Sequence, residues 1–174
     1  MARGIERVEY IPGRMERLDC GQTFGVFLDR ANSPQTLSAA LESVRSVTTG
    51  RVYCVLCPPN DRDRTKRQLL AVAAESGADL CVVTSGNLPD SQTDESLEDL
   101  RRGFSNSDAY YDEPDRRKAI VWALAQASME DSVLIVGQDV STLDAINERF
   151  VPDRQYIRNW LCDNLPSAES YWYN

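Results

Sequence analysis

Short apolar runs alternate with amphipathic stretches along the chain. Val52–Cys57, Leu80–Thr84 and Val133–Val136 are continuous apolar segments bounded by polar or turn-forming residues. That pattern predicts strands buried on both faces. Met15–Asp19 and Phe24–Asp29 read as two further strands joined by a turn at Cys20-Gly21-Gln22, and Ala109–Tyr111 as a short edge strand. Between them lie helical patterns. Ser33-Pro34 supplies a cap and a proline at the first helical position, and Leu37, Leu41, Val44 and Val47 then form one stripe, ended by Gly50. A second helix is predicted from about Lys66 to Ser76, closed by Gly77, with Thr65 and Gln68 as a capping box. Thr93-Asp94-Glu95 opens a third, reaching about Arg102, and Pro114 begins a fourth with Ile120, Leu124 and Ala127 inward. Ser141–Phe150 and Asp153–Leu161 also read as helical, and residues 166–174 as a tail.

Strands alternating with helices argue an α/β, Rossmann-like fold: a mostly parallel sheet with helices on both faces. No internal repeat or long linker divides the chain, so residues 1–165 are expected to form a single domain. In such a sheet, ligands bind outside the carboxyl ends of the strands. Those ends are Asp29–Pro34, Cys57–Arg67, Thr84–Asp90 and Gly137–Ser141, and they should converge on one crevice.

The densest charge in the chain sits there. Asp61-Arg62-Asp63-Arg64-Thr65-Lys66-Arg67 spans the predicted handover from strand to helix. Lys66 and Arg67 would lie in the first turn, where the helix dipole disfavours cations by about 0.3–1 kcal/mol each. An anionic ligand or a carboxylate partner would remove that cost, which makes Arg64, Lys66 and Arg67 anion-binding candidates. The plainer alternative is that Asp61 and Asp63 neutralise the arginines on a solvated loop.

Composition narrows the chemistry. The length of 174 residues suits one domain with a sizeable core. A formal net charge of -8 argues against broad nucleic-acid binding. No apolar run is long enough to cross a bilayer, and the charged stretch from Arg3 to Glu9 is unlike a signal peptide. A cytoplasmic protein without membrane or nucleic-acid partners is the expectation. The absence of histidine removes Ser-His-Asp and Cys-His catalysis and every His-ligated metal site. Of the five cysteines, Cys54 and Cys57 have CxxC spacing but fall within a predicted strand, which favours buried thiols over a zinc or redox pair.

The same four loops resemble the C-terminal domain of the Mur ligases, most closely the UDP-N-acetylmuramoyl-tripeptide synthetase type, over about Gly4 to Leu161. Leu28-Asp29-Arg30-Ala31-Asn32-Ser33-Pro34 is similar to the family's Asp-Tyr-Ala-His-Thr-Pro segment. The Asp61–Arg67 stretch resembles its Asp-Arg-Asp-Arg-Gly-Lys-Arg segment and is the most specific match. Thr84-Ser85-Gly86-Asn87 stands where the family has Thr-Ser-Asp-Asn-Pro-Arg. Ile11–Arg17 and Pro114–Ile120 match further segments.

The resemblance implies a domain of a ligase rather than a whole enzyme. In the family, an amino-terminal domain binds the UDP-sugar and a central domain carries the ATP P-loop. The C-terminal domain closes over both and holds the incoming amino acid. A peptide carboxylate is activated as an acyl phosphate, which the amine attacks. No G-x-x-x-x-G-K-[ST] sequence occurs here, so the chain alone is expected to carry no cofactor and no catalytic residue. ATP and Mg²⁺ are implied only for a full-length ligase. By resemblance, Arg62, Asn87 and Gly137 are substrate-binding, and Asp29 and Asn32 are nucleotide-proximal.

The departures bear on function. The arginine of Asn-Pro-Arg is absent, since Leu88, Pro89 and Asp90 follow Asn87, and a bidentate clamp on a carboxylate needs that guanidinium. The Gly-Lys-Gly-His-Glu loop appears as Gly137-Gln138-Asp139-Val140-Ser141, without its glutamate. Arg30 and Asn32 replace a tyrosine and a histidine, and Pro58, Pro59 and Asn60 replace glycines. Each retained residue has a plain structural alternative: Asp29 and Asn87 as loop braces, Gly137 as a turn former, Arg62 as a partner of Asp61 or Asp63.

Two main readings follow. The first is a domain of a larger Mur-type ligase, partnered by the amino-terminal and central domains. The second is a stand-alone, non-catalytic binding module derived from that domain, a pseudoenzyme docking on another cell-wall enzyme. Trp122, Trp160 and Tyr171-Trp172-Tyr173 are then its candidate anchors, with core packing the alternative for Trp122. A third reading is a general nucleotide- or anion-binding protein using the Asp61–Arg67 loop.

Overall fold

Local sequence and observed elements agree closely. A computed structural model describes residues 14–59, 63–85, 90–137 and 152–164. In chain order the elements are β1 (Glu16–Arg17), β2 (Gly25–Asp29), α1 (Pro34–Arg45), β3 (Val52–Leu56), α2 (Arg64–Gly77) and β4 (Leu80–Val83). They continue with α3 (Asp90–Arg101), β5 (Tyr110–Asp112), α4 (Arg116–Gln126), β6 (Ser132–Val136) and α5 (Asp153–Asn164). The six strands form one sheet in the order β1-β2-β6-β3-β4-β5. Only β1 runs antiparallel, against β2; the remaining pairs are parallel.

Alternation along β3 distributes its side chains to two cores. Val52, Cys54 and Leu56 face α1, α2 and α3, where Leu37, Leu41, Leu70, Ala74 and Leu100 are buried. Tyr53 and Val55 face α4 and α5, where Ile120, Leu124, Ile157 and Leu161 are buried. Each fully buried aliphatic side chain contributes about 1.5–3 kcal/mol, so both layers are well founded. The sheet is therefore mostly parallel and covered on both faces.

Three boundaries differ from the sequence expectation. The α1 stripe stops a turn early: the helix ends at Arg45, and Val47 is 68% exposed. Helix α2 begins at Arg64, because the Asp63 carboxylate caps it by accepting from the Lys66 N–H at 3.0 Å. An aspartate outranks Thr65 as a cap. Helix α3 begins at Asp90, three residues before the expected start. The fourth helix is capped by Asp115, which follows Pro114 and accepts from the Arg117 and Lys118 N–H groups. The predicted helix at 141–150 and the tail at 166–174 lie outside the described residues.

At the amino-terminal edge of the sheet, Asp79 ties three elements together. Its Oδ2 accepts from the Val52 N–H at 2.7 Å and from Arg45 Nη2 at 2.6 Å. Burial pushes the Asp79 carboxyl up, but the Val52 N–H and the Arg45 guanidinium outweigh it and hold it below the usual value. A depressed folded pKa gives stability that is complete above the ordinary aspartate range, near pH 4, and lost as pH falls through that range. Asp79→Asn is expected to flatten the acid limb of stability against pH, measured as urea midpoints. An unchanged slope would overturn the assignment.

Candidate functional site

The return of β6 between β2 and β3 builds the site. It brings the carboxyl ends of β2, β6 and β3 side by side, with Asp29 opposite Val136 in register. The Gly137 N–H donates to the Asp29 carbonyl at 3.2 Å. Gly137 has φ +117, a conformation that side-chain-bearing residues rarely adopt, and a Cβ there would collide with the Cys57 thiol. Cys57 in turn approaches the Val136 carbonyl at 3.9 Å. The turn after β6 is thus fitted against the turn after β3.

Asp29 braces the first loop. It is 8% exposed; Oδ2 accepts from the Met15 N–H at 2.8 Å and Oδ1 from the Ala31 N–H at 2.7 Å. Its carboxylate holds backbone, and this matches the structural alternative foreseen for it. Asn32 is exposed after β2, just before the Ser33 cap of α1, and its N–H donates to Thr36 Oγ1.

The cations of the Asp-Arg stretch have carboxylate partners from α3. Arg67 is buried and its Nη1 donates to Asp99 Oδ2 at 3.0 Å; Asp99 is buried as well. Arg64 is largely exposed and pairs with Glu95, while its Nε lies 3.4 Å from Asp99 Oδ2. Lys66 is half-buried in the first turn, with its N–H on the Asp63 cap. Of the two ways to offset cations at this helix start, carboxylates are in place. Arg62 and Asn87 lie outside the described residues, but their flanks are fixed: Asp63 caps α2, and Thr84 and Ser85 are anchored. Thr84 Oγ1 donates to the Pro114 carbonyl at 3.1 Å and Ser85 Oγ to the same oxygen at 2.6 Å.

One residue of the site lay hidden in the sequence reading. Arg116 is buried beneath Gly137. Its Nη1 and Nη2 each lie 3.4 Å from the Val136 carbonyl, its Nε donates to Asp153 Oδ2 at 2.9 Å, and Nη2 lies 2.7 Å from that oxygen. It thus joins the end of β6 to the first turn of α5. The signal was present: Arg116 shares a helical face with Ala119, Ile120, Ala123 and Leu124, all buried.

The aromatic candidates divide. Trp122 packs against the α4–α5 core and stacks on Tyr111 with ring centroids 4.5 Å apart. Trp160 is partly buried on the same cluster, and Tyr171 to Tyr173 lie outside the described residues. The CxxC spacing forms no unit: Cys54 pairs in register with Cys81, while Cys57 faces the β6 turn. Among the described residues, no group of three or more His, Cys, Asp or Glu side chains could hold a metal ion. No described helix is long and apolar enough to cross a membrane.

Residues 13–138 match the family model described as Mur ligase, glutamate ligase domain. Among curated relatives, the UDP-N-acetylmuramoyl-L-alanyl-D-glutamate–2,6-diaminopimelate ligase of Geobacillus thermodenitrificans is 40% identical, over 85% of this chain and 30% of its own. The ligase of that name from Fusobacterium nucleatum is 32% identical, over 92% of this chain and 35% of its own. This chain therefore spans about a third of the length of the curated relatives it matches. A solved ligase of the same name superposes with a TM-score of 0.67 at 29% identity, covering 74% of this chain and 26% of that one. A bifunctional folylpolyglutamate synthase/dihydrofolate synthase from Yersinia pestis shares the fold, with a TM-score of 0.60 at 14% identity over 90% of this chain and 32% of that one. The matched family model and these relatives together show that the chain belongs to the Mur ligase family, as a C-terminal domain of the tripeptide-synthetase type.

Proposed function

We propose that this chain serves as the closing, amino-acid-holding domain of an ATP-dependent UDP-N-acetylmuramoyl-peptide ligase of peptidoglycan synthesis, and that it is not catalytic alone. The observation that carries this reading is the side-by-side placement of the strand carboxyl ends, anchored by hydrogen bonds at Asp29, Asp63, Thr84 and Gly137. The names of the curated relatives supply the substrate class: a UDP-N-acetylmuramoyl dipeptide and a diamino diacid. The sequence has no P-loop, so this reading assigns ATP and Mg²⁺ to the rest of a full-length ligase. Its part is to orient the incoming amine. Arg62, always protonated, would fix the amino acid's carboxylate by charge-assisted hydrogen bonds rather than move protons.

The test assays the complete gene product with ATP, the UDP-linked dipeptide and 2,6-diaminopimelate, reading phosphate release and tripeptide mass. Ligation by a product larger than 19.5 kDa, and none by the 174-residue chain alone, is the expected outcome. In the active product, Arg62→Ala should raise the amino-acid KM about 10–100-fold, as loss of a hydrogen-bonded charge costs about 1.5–3 kcal/mol, with a smaller effect on kcat. An equal KM would remove Arg62 from the site.

A second reading, a free-standing non-catalytic module, draws on Pro89 and Ser141, which stand where the family pattern has ligand-binding arginine and glutamate. A native product of 19.5 kDa without ligase activity, recovered with a cell-wall enzyme, would favour it.

A further inference from the structure

A groove of about 510 Å³ opens between the carboxyl-terminal halves of α1 and α2, at the end of the sheet away from the strand carboxyl ends. Its size falls within the range of small-molecule sites. Gly77 lets the two helices approach closely, since a Cβ there would stand 2.9 Å from Leu41 Cβ. Leu41, Ala73 and Ala78 give the lining its apolar part, and Ser38, Glu42, Ser46 and Ser76 much of its polar part. Ser38, Glu42 and Ser46 are spaced four apart, so they share one face along about 12 Å of helix axis.

The polar groups are set to accept rather than to donate. Ser46 Oγ commits its proton to the Ser43 carbonyl at 2.7 Å, and Ser76 Oγ to the Val72 carbonyl at 2.8 Å, which leaves lone pairs on both. The Glu42 carboxylate is an acceptor only, and no described cation pairs with it. Arg45, the cation of the lining, is already balanced: Nη2 lies 2.6 Å from Asp79 Oδ2, and the fork also reaches the Gly50 and Gly77 carbonyls. The carboxyl ends of the two helices each add about half a negative charge. The groove is therefore electronegative, partly apolar and short of donors.

We propose that this groove binds a linear aliphatic polyamine. Its ammonium groups donate to the Glu42 carboxylate and the serine hydroxyls, and its methylene stem packs on Leu41, Ala73 and Ala78. A polyamine carries what the groove lacks: several N–H donors and positive charge, spread along an apolar chain. A compact metal cation would gain nothing from the apolar lining, and an anion would meet Glu42. The site lies apart from the strand-end loops and does not rest on the ligase reading. A ligand held by both helices stabilises the folded domain by mass action.

The experiment titrates spermidine into the isotope-labelled protein and follows backbone amide shifts and Tm. Saturable shifts at residues 38–46 and 73–79, with a Tm that rises with spermidine, are expected. Glu42→Gln, a change at an exposed position, should weaken binding about 10-fold or more, as loss of a hydrogen bond to a charged group implies. Asp94→Asn removes the same charge from an exposed position on α3, outside the groove, and should change affinity less than about twofold, since exposed charges that far off are screened. Ala73→Leu fills the groove without altering charge and should abolish the shifts. Equal weakening by Glu42→Gln and Asp94→Asn, undiminished binding in Ala73→Leu, or no shift in the groove would each overturn the proposal. Binding of n-butylamine as tight as that of spermidine would also overturn it, by assigning the groove to a single lysine side chain of a partner protein.

Discussion

Asp99→Ala is expected to lower folding stability by about 3–5 kcal/mol, the largest effect of any single change considered. Asp99 is 2% exposed and Arg67 6%, with Arg67 Nη1 on Asp99 Oδ2 at 3.0 Å. Removing the carboxylate takes the Asp99 charge away from a guanidinium buried between α2 and α3. The penalty is the desolvation of that guanidinium, which the remaining hydrogen bonds offset in part. Arg64 cannot compensate, because it is itself a cation that loses its contact with Asp99. The paired change Arg67→Met with Asp99→Leu should be far milder, since it removes both charges and fills the space with apolar atoms. Chemical denaturation of the three variants measures this. Equal losses in the single and double variants would show that packing, not charge, governs the site.

Arg116→Ala should cost nearly as much, about 3 kcal/mol or more, and should also loosen the join between the end of β6 and the start of α5. Two losses combine. The Val136 carbonyl and the Asp153 carboxylate lose a guanidinium that lies within 3.4 Å and 2.7 Å of them. The truncated side chain also leaves a void beside Gly137. Arg116→Lys keeps the charge but cannot contact both oxygens with a planar fork, so it should recover only part of the stability. Amide hydrogen exchange separates the local effect from the global one. Faster exchange at the first turn of α5 and at Gly137 is expected in Arg116→Ala, beyond what the global loss explains. Uniform acceleration across α1 and α5 would mean that Arg116 acts only through overall stability.

Much of the scaffold was legible because local signals and tertiary packing agree. The apolar runs at Val52–Cys57 and Val133–Val136 could only be two-sided strands, and they are the two central ones, β3 and β6. Ser33-Pro34 started α1 as its chemistry predicts, with the cap confirmed by the Thr36 N–H on Ser33 Oγ. The α2 start was misread because Asp61, Asp63 and Thr65 all offer capping oxygens within one turn, and sequence does not rank neighbours that close. Val47 was misread because its helical spacing continues past the point where the chain leaves the helix.

The site was legible in part. The side-by-side placement of the strand ends followed from topology. The partner of Arg67 was not, because Asp99 lies on α3, far along the chain. Yet Arg67 shares a face with Leu70, Ala71 and Ala74, as Arg116 does with the apolar face of α4. A cation placed on a helix's inward stripe is a signal for a buried ion pair, and it was present twice. Charge density drew attention to the loop, whereas periodicity marks the residues beneath it.

The strand ends and the helix starts beside them are held by the Asp29 carboxylate, the Arg67–Asp99 pair, the Thr84 hydroxyl and the Arg116–Asp153 pair. Among the described residues, the positions at which this sequence departs from its family's binding pattern, Arg30 and Asn32, supply none of those anchoring side chains. Heritable change in what the loops grip is thereby separated from change in whether the domain folds. A lineage carrying this scaffold can trade one ligand for another, or lose its ligand altogether, through viable intermediates at every step.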